Sequence, residues 1–528
     1  MTKRLISTLL TLTLALSMLI PCAVAEDGGK MLRIIEKADP ETLDVQLTTD
    51  SYCIPLNCFD RLVEIDTVDG QPQIVPGLAD SWDVTEDGLT YTFHLHAGVK
   101  FHNGDPFTAD DVVFTVNRMM DPTTLAKNTD VYERVAGAMD CLNGKADSVS
   151  GVEAIDDYTV RFTLIEPCDF FLSLLATPAG AIYNRESTEG AEDFGTNPAV
   201  CFGTGPFQVS QWVLGSKVTM VANPDYFRGA PQIDGVTVLI IPDENTQRMM
   251  FEQGNADVID FDYAKTQLQW FMDNGYESQI VGGRRMGTYY LMFNTAIEPL
   301  DNVNVRKALQ MAIDRQAILD AVYNGKGVVL NSFLPNGVPG HDDDAEVIPY
   351  DPARARELLA EEGYANGFDM ELAIVADNPD LPVYTIIASY LGQVGVRVRI
   401  NQMDSSSFYD IRRDGKLPGY YNHWSADFND PDNFLYTFFS NKNTVGRSVN
   451  YDNDEIKALL DAARLMPDHE ARIEAYRMID AAVSHEDAVV LPMYQTEHLF
   501  CLSKRVKNFK VAWNGWSNMS YYTVALEG

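Results

Sequence analysis

The sequence predicts an α/β protein with more than one domain. Strand-like and helix-like runs alternate along the whole chain, the pattern of sheets layered with helices. The 528 residues exceed what one hydrophobic core supports. No internal repeat or low-complexity tract offers a solenoid or fibrous alternative.

The chain opens with Lys3 and Arg4, an uncharged run from Leu5 to Ile20, and the small residues Ala23, Val24 and Ala25. That order predicts a secretory leader over 1–25, cleaved after Ala25, and hence an exported protein, periplasmic or extracellular. Lipid attachment at Cys22 is the rival ending, but Pro21 stands where a lipobox has a small residue. No later run reaches the ~18 apolar residues of a spanning helix.

Between residues 78 and 114 the pattern is dense. An Asp87-Gly88 turn leads into a strand that sends Tyr91, Phe93 and Leu95 to one face and Thr92, His94 and His96 to the other. A second turn follows at Asn103-Gly104-Asp105-Pro106. Thr108 then occupies a helix N-cap position, with Asp111 three residues on and Val112, Val113, Phe114 and Val116 behind it. Val236 to Ile241 reads as a buried strand. A helix is predicted from about Asn304 to Tyr323, with Val305, Leu309, Ala312 and Ile313 on its buried face and Gly325 beyond its end. Asp351-Pro352 starts another, Leu358 and Leu359 face inward, and Gly363 stops it. Val396, Val398 and Ile400 alternate with Arg397 and Arg399 as a strand. In Asp430-Pro431, Asp430 reads as an N-cap and Pro431 as the first helical residue, which makes Asp430 structural.

The formal net charge of −36 makes nucleic acid and anionic lipid poor partners. Most of that charge reads as solvated surface. Beyond Cys22, Cys53, Cys58, Cys141, Cys168, Cys201 and Cys501 form an even set that permits disulfides outside the cell, with no pairing legible. His94 and His96 share a strand face near His102, the only spacing suggestive of a transition metal. Asp342-Asp343-Asp344 lacks the spaced ligands and glycine of a calcium loop. No Gly-x-Ser-x-Gly elbow, His-Glu-x-x-His helix or phosphate loop occurs, so no catalytic residues, metal or cofactor are expected. A secreted hydrolase using paired carboxylates is the remaining enzyme reading.

Five blocks in order carry a resemblance: residues 78–114; Gly203-Thr204-Gly205-Pro206-Phe207 with Trp212; Asn223-Pro224-Asp225-Tyr226-Phe227; Asn302 to Leu309 with Ala312-Ile313-Asp314-Arg315; and Trp424 to Phe434. Together they resemble the bacterial extracellular solute-binding proteins of family 5, the peptide and nickel receptors of ABC importers. The resemblance implies a type II periplasmic-binding-protein-like fold, with two lobes closing on a cleft and an extra inserted lobe. By analogy the first lobe comprises 26–59, 196–286 and 495–528, the inserted lobe 60–195 and the opposing lobe 287–494.

It also implies a monomeric, non-catalytic receptor that delivers a small peptide or amine-bearing solute to a membrane permease. Asp427 matches the carboxylate that grips a peptide's α-ammonium group in peptide-binding members. Thr48, Thr49 and Asp50 on one lobe, and Trp424 with Ser425 on the other, match the slot that holds the peptide backbone as an added strand. Tyr289, Tyr290 and Tyr494 match aromatic positions near the cleft. Tyr421 and Tyr323 stand where oligopeptide-binding members carry basic residues for the ligand's carboxylate, and Ser405 replaces a pocket tryptophan; Arg412 is the candidate substitute. The alternative on the same scaffold is a receptor for an oligosaccharide, an opine or a metal chelate.

Overall fold

The computed structural model describes residues 29–49, 52–68, 71–376, 378–466, 468–515 and 520–527. The leader, Cys22 and Asp50 lie outside them. Strand β1 (Met31–Glu36) is followed by the hairpin β2 (Val63–Val68) and β3 (Gln71–Pro76). Next come β4 (Ala79–Val84), β5 (Thr90–Leu95), β6 (Val152–Asp156) and β7 (Thr159–Thr163), which form an antiparallel sheet in the order β4-β5-β7-β6. In β5, Tyr91, Phe93 and Leu95 are buried and His94 is exposed, as the alternation requires. Gly88 takes φ 68° in the turn before it. Thr108 and Asp111 close the expected capping box on helix Ala109–Met120, which packs Val112, Val116 and Met119 onto this sheet.

Strands β8 (Phe207–Val213), β9 (Lys217–Ala222) and β10 (Gly235–Ile240) then join β1 in a second sheet, ordered β1-β10-β9-β8, with β1 and β10 parallel. Leu32, Val209, Val218 and Val236 form its core. Beyond it lie β11 (Val258–Asp260), β12 (Ile280–Arg284), β13 (Gly287–Phe293) and β14 (Gly327–Val329). The parallel pair β15 (Asp369–Val375) and β16 (Arg397–Met403) follows, then β17 (Gly419–Ser425) and the long β18 (Val490–Leu502).

β18 runs through two sheets. Its first half pairs with β13 and β14, and its second half with β11 and β12. The other crossing runs through Arg285 and Met286, between β12 and β13. Gln495 ties the crossings together: its side-chain amide donates to the carbonyls of Arg285 at 2.7 Å and Asn336 at 3.0 Å.

The stretch predicted as one helix over 304–323 is two, Val303–Met311 and Arg315–Tyr323. Asp314 breaks it by accepting a hydrogen bond from the Ala317 N–H and so capping its own helix. Asp351 caps Pro352–Glu361 as its sequence suggests. Near Asp430 the register shifts: Pro431 holds the cap position and the helix is Asp432–Phe439. Asp430 accepts from the Asp432 N–H at 2.9 Å and pairs with Arg472 instead. Among the described residues no helix is long and apolar enough to cross a membrane.

Candidate functional site

A cavity of about 550 Å³ lies where the loop after β1, the β2–β3 segment, residues 128–131, residues 174–179, residues 510–514 and residues 520–523 meet the loop after β17. This last loop is tightly built. β17 ends at Ser425, paired with Gly287, and the Ala426 N–H donates to Met286 O at 2.7 Å. Asn433, buried in the first turn of the following helix, then serves two neighbours. Its carbonyl groups accept from the Trp424 indole N–H at 3.0 and 3.2 Å, and its side chain exchanges hydrogen bonds with Asp427, receiving the backbone N–H and donating to Oδ2, each at 3.0 Å. Arg472, fully buried, grips Asp430 with two hydrogen bonds of 2.9 and 2.6 Å. Asp432 accepts from the Tyr476 hydroxyl and pairs with Arg464. Sequence reasoning did not single out Asn433, Arg464 or Arg472, whose roles depend on contacts a linear pattern does not display.

Asp427 thus points into the cavity with no ion-pair partner among the described residues. Enclosure by the surrounding walls pushes its pKa up to about 6, opposed by the Asn433 hydrogen bond, with the negative charge of Asp130 adding to the rise and Arg447 opposing it. The Asp427 side chain is itself exposed within the cavity. Arg447 stacks over the Trp424 ring at 4.7 Å and so holds the indole against Phe438.

The cavity's basic residues are already paired. Glu64 receives Arg228 at 3.1 Å and Arg61 at 3.6 Å, and Lys510 lies 3.5 Å from Asp66. Buried Asp60 accepts from Thr204 at 2.8 Å and Tyr226 at 3.1 Å; burial raises its pKa to about 6.

Of the other residues singled out by sequence, Thr49 lines the same cavity as Trp424 and Asp427. Thr48 is buried, and its carbonyl accepts from Tyr52 and Asn128. Ser425 is half-buried, with its hydroxyl unpartnered. Tyr289, Tyr421 and Tyr494 gather with Tyr323 outside the cavity wall; the Tyr421 and Tyr494 hydroxyls are 2.6 Å apart and those of Tyr421 and Tyr323 3.4 Å. Burial drives the pKa of each of these tyrosines upward. Tyr290 follows Tyr289 on β13 and therefore points to the opposite face, into a core with Phe333 and Phe438. It is a packing residue. Arg412 lies on helix Ser405–Arg413, stacked on Tyr409 at 4.8 Å and away from the cavity lining.

The strand histidines do not converge. His94 contacts Asp83 at 2.9 Å, His96 its neighbour's carbonyl, and His102 clamps Gly203 and Gly205. Burial lowers the His102 pKa to about 4, so the ring is neutral. A different group, Asp260, Asp262 and His498, brings its ligand-type atoms within 4.8 Å. The cation there is Arg285, bonded to Asp262 at 2.5 Å, and His498 meets Asp260 at 2.7 Å. This is an ion-pair network beside the lobe crossing.

The sequence model of a family described as bacterial extracellular solute-binding proteins, family 5 Middle, matches residues 73–446. Heme-binding protein A of Haemophilus influenzae is 32% identical over 494 residues, spanning 89% of this chain and 87% of that protein. The dipeptide-binding protein of Escherichia coli is 32% identical over 528 residues, spanning 95% and 96%. Among solved structures, HbpA2 from Haemophilus parasuis matches with a TM-score of 0.80 at 28% identity, over 94% of this chain and 100% of that one. The periplasmic binding protein DppA from Helicobacter pylori, in complex with the peptide STSA, matches at 0.75 and 26%, over 94% and 98%.

Proposed function

Because the chain belongs to the family 5 bacterial extracellular solute-binding proteins, we propose that it is the exported receptor of an ABC importer and captures a short peptide by its α-ammonium group. One observation supports this most directly: Asp427 presents a carboxylate without an ion pair, among the described residues, to the cavity, on a loop anchored by Asn433 and the Arg472–Asp430 pair. A carboxylate and an ammonium compensate each other's loss of water in such a place, whereas either alone is costly. The peptide backbone then adds main-chain hydrogen bonds that do not depend on side-chain identity. Ligand contacts from both lobes exist only in the closed form, so binding shifts the population toward it, and a membrane permease accepts that shape from the monomer. No bond is made or broken in this cycle.

Calorimetric titration with free and N-acetylated dipeptides tests the reading. Acetylation, or Asp427→Ala, is expected to weaken binding by ~2–5 kcal/mol, because each removes one partner of a charge-assisted contact. Equal affinity for free and acetylated peptides defeats the ammonium assignment. Mass spectrometry of solute released from freshly purified protein identifies the natural ligand.

A further inference from the structure

Of the five carboxylates that line the cavity, Glu64 and Asp66 are ion-paired and Asp60 accepts from Thr204 and Tyr226, which leaves Asp130 beside Asp427 for a ligand to answer. Asp130 lines the cavity from the 128–131 segment, and its charge is one of the influences felt by Asp427. The segment is fixed in place: the Asn128 side chain donates to the carbonyls of Val45 at 2.9 Å and Thr48 at 2.7 Å, and the Lys127 N–H donates to Gln46 O at 2.8 Å. Asp130 is therefore held at the cavity wall by the same loop that supplies Thr49. Among the described residues it has no ion pair. The Lys442 ammonium, whose field reaches it, is bridged to Glu133 at 3.9 Å.

The rest of the lining sharpens the imbalance. Arg61, Arg228 and Lys510 are each engaged with Glu64 or Asp66, so none of them neutralises Asp130 or Asp427. Two carboxylates without ion pairs on the wall of one cavity repel each other and would lose water together as a ligand fills it, and cationic groups on the ligand relieve both effects. The walls also suit a long basic side chain. Trp424, Trp513 and Tyr52 offer ring faces along which an aliphatic stem can pack while its charged end reaches a carboxylate.

We propose that Asp130 receives a second cation of the ligand, the ammonium or guanidinium of a basic side chain beside the α-ammonium that Asp427 holds, so that the receptor prefers short peptides with a basic N-terminal residue. This rests on the peptide reading given above. Lysyl-alanine and norleucyl-alanine share nearly the same stem and differ in the terminal charge, so the pair isolates the second contact.

Titration of the intact protein with both dipeptides is expected to show lysyl-alanine bound about tenfold more tightly at low salt, the size of one partly buried charge-assisted contact. In Asp130→Asn the ratio of the two affinities should fall to near parity. Equal affinities in the unmodified protein, which needs no variant to be measured, overturn the assignment, as does a preference that survives Asp130→Asn. Either result leaves the peptide reading standing if free norleucyl-alanine still outbinds its N-acetyl form. If free and acetylated forms bind alike, the α-ammonium reading and this one fall together.

Discussion

Asp427 illustrates how a single side chain can be fixed and yet chemically unfinished. Asn433 satisfies one of its oxygens and its backbone N–H, while the remaining acceptor capacity faces the cavity. The linkage to pH follows. In the empty receptor its pKa is raised to about 6 by enclosure and by Asp130, against Asn433 and Arg447. A bound ammonium favours the ionised form and depresses that value, so the loaded state holds fewer protons than the empty one. Affinity for a free peptide is therefore expected to be flat from about pH 6 to about pH 8, where the peptide's own α-ammonium begins to lose its proton, and to fall as pH drops below about 6, by up to about tenfold per unit. Titration of a neutral-side-chain dipeptide across pH checks it; an affinity that stays flat through the acid range, or rises there, excludes Asp427 as the ammonium's partner. At this scale Asp427 and Trp424 could be read from the chain because they sit in a recognisable block, and both line the cavity. Asn433 and Asp130 could not, since nothing in an asparagine after Asp432, or an aspartate after Thr129, announces what it will face.

The element that matters most is the loop between β17 and helix Asp432–Phe439, anchored from far along the chain. Arg472 belongs to helix His469–Ala481 and is, among the described residues, the one ion-pair partner of Asp430, with both groups buried. Arg472→Met strands a carboxylate in the interior and should cost ~3–5 kcal/mol of stability in chemical denaturation. Asp430→Asn in the same chain should recover part of that loss. A loss below about 1 kcal/mol, the range of a surface pair, would show that the anchor is dispensable. Local rules read several helices correctly. Thr108 with Asp111 and Asp351 with Pro352 declare their caps within four residues. The same rules join two helices across Asp314 and set the Asp430 cap a residue early. Apolar spacing continues through the first break, and the pull of Arg472 on Asp430 originates far away in sequence.

Across the whole molecule, β18 and the Arg285–Met286 crossing connect the sheet of β11 and β12 to that of β13 and β14. Beside them Lys265, just after β11, reaches Asp380 at the start of helix Leu381–Gln393 at 3.6 Å and lies over the Tyr323 ring at 4.7 Å. By the family analogy these contacts would bridge the first lobe to the opposing one, and none of the three residues lines the cavity. Lys265→Ala should thus weaken all ligands alike, by about two- to tenfold, while keeping the free-to-acetylated ratio. Small-angle scattering should show more of the unliganded variant in an expanded state, whereas a changed ratio would place Lys265 at the ligand. Length and the strand–helix alternation foretold a multi-lobed α/β molecule. They did not foretell that β1 would lie parallel beside β10, about 200 residues away, since pairing partners are chosen by three-dimensional packing.

The six cysteines from Cys53 to Cys501 are all free thiols in the interior, although their even number allowed cross-links. Burial raises the pKa of each, Cys141 and Cys201 included, which keeps them as unreactive thiols at neutral pH. The described fold thus draws on no oxidant for its integrity. Among the described residues no native thiol lies open to a maleimide, so a dye attached at one engineered exposed sulfhydryl on each side of the cleft would report opening and shutting without interference from these six.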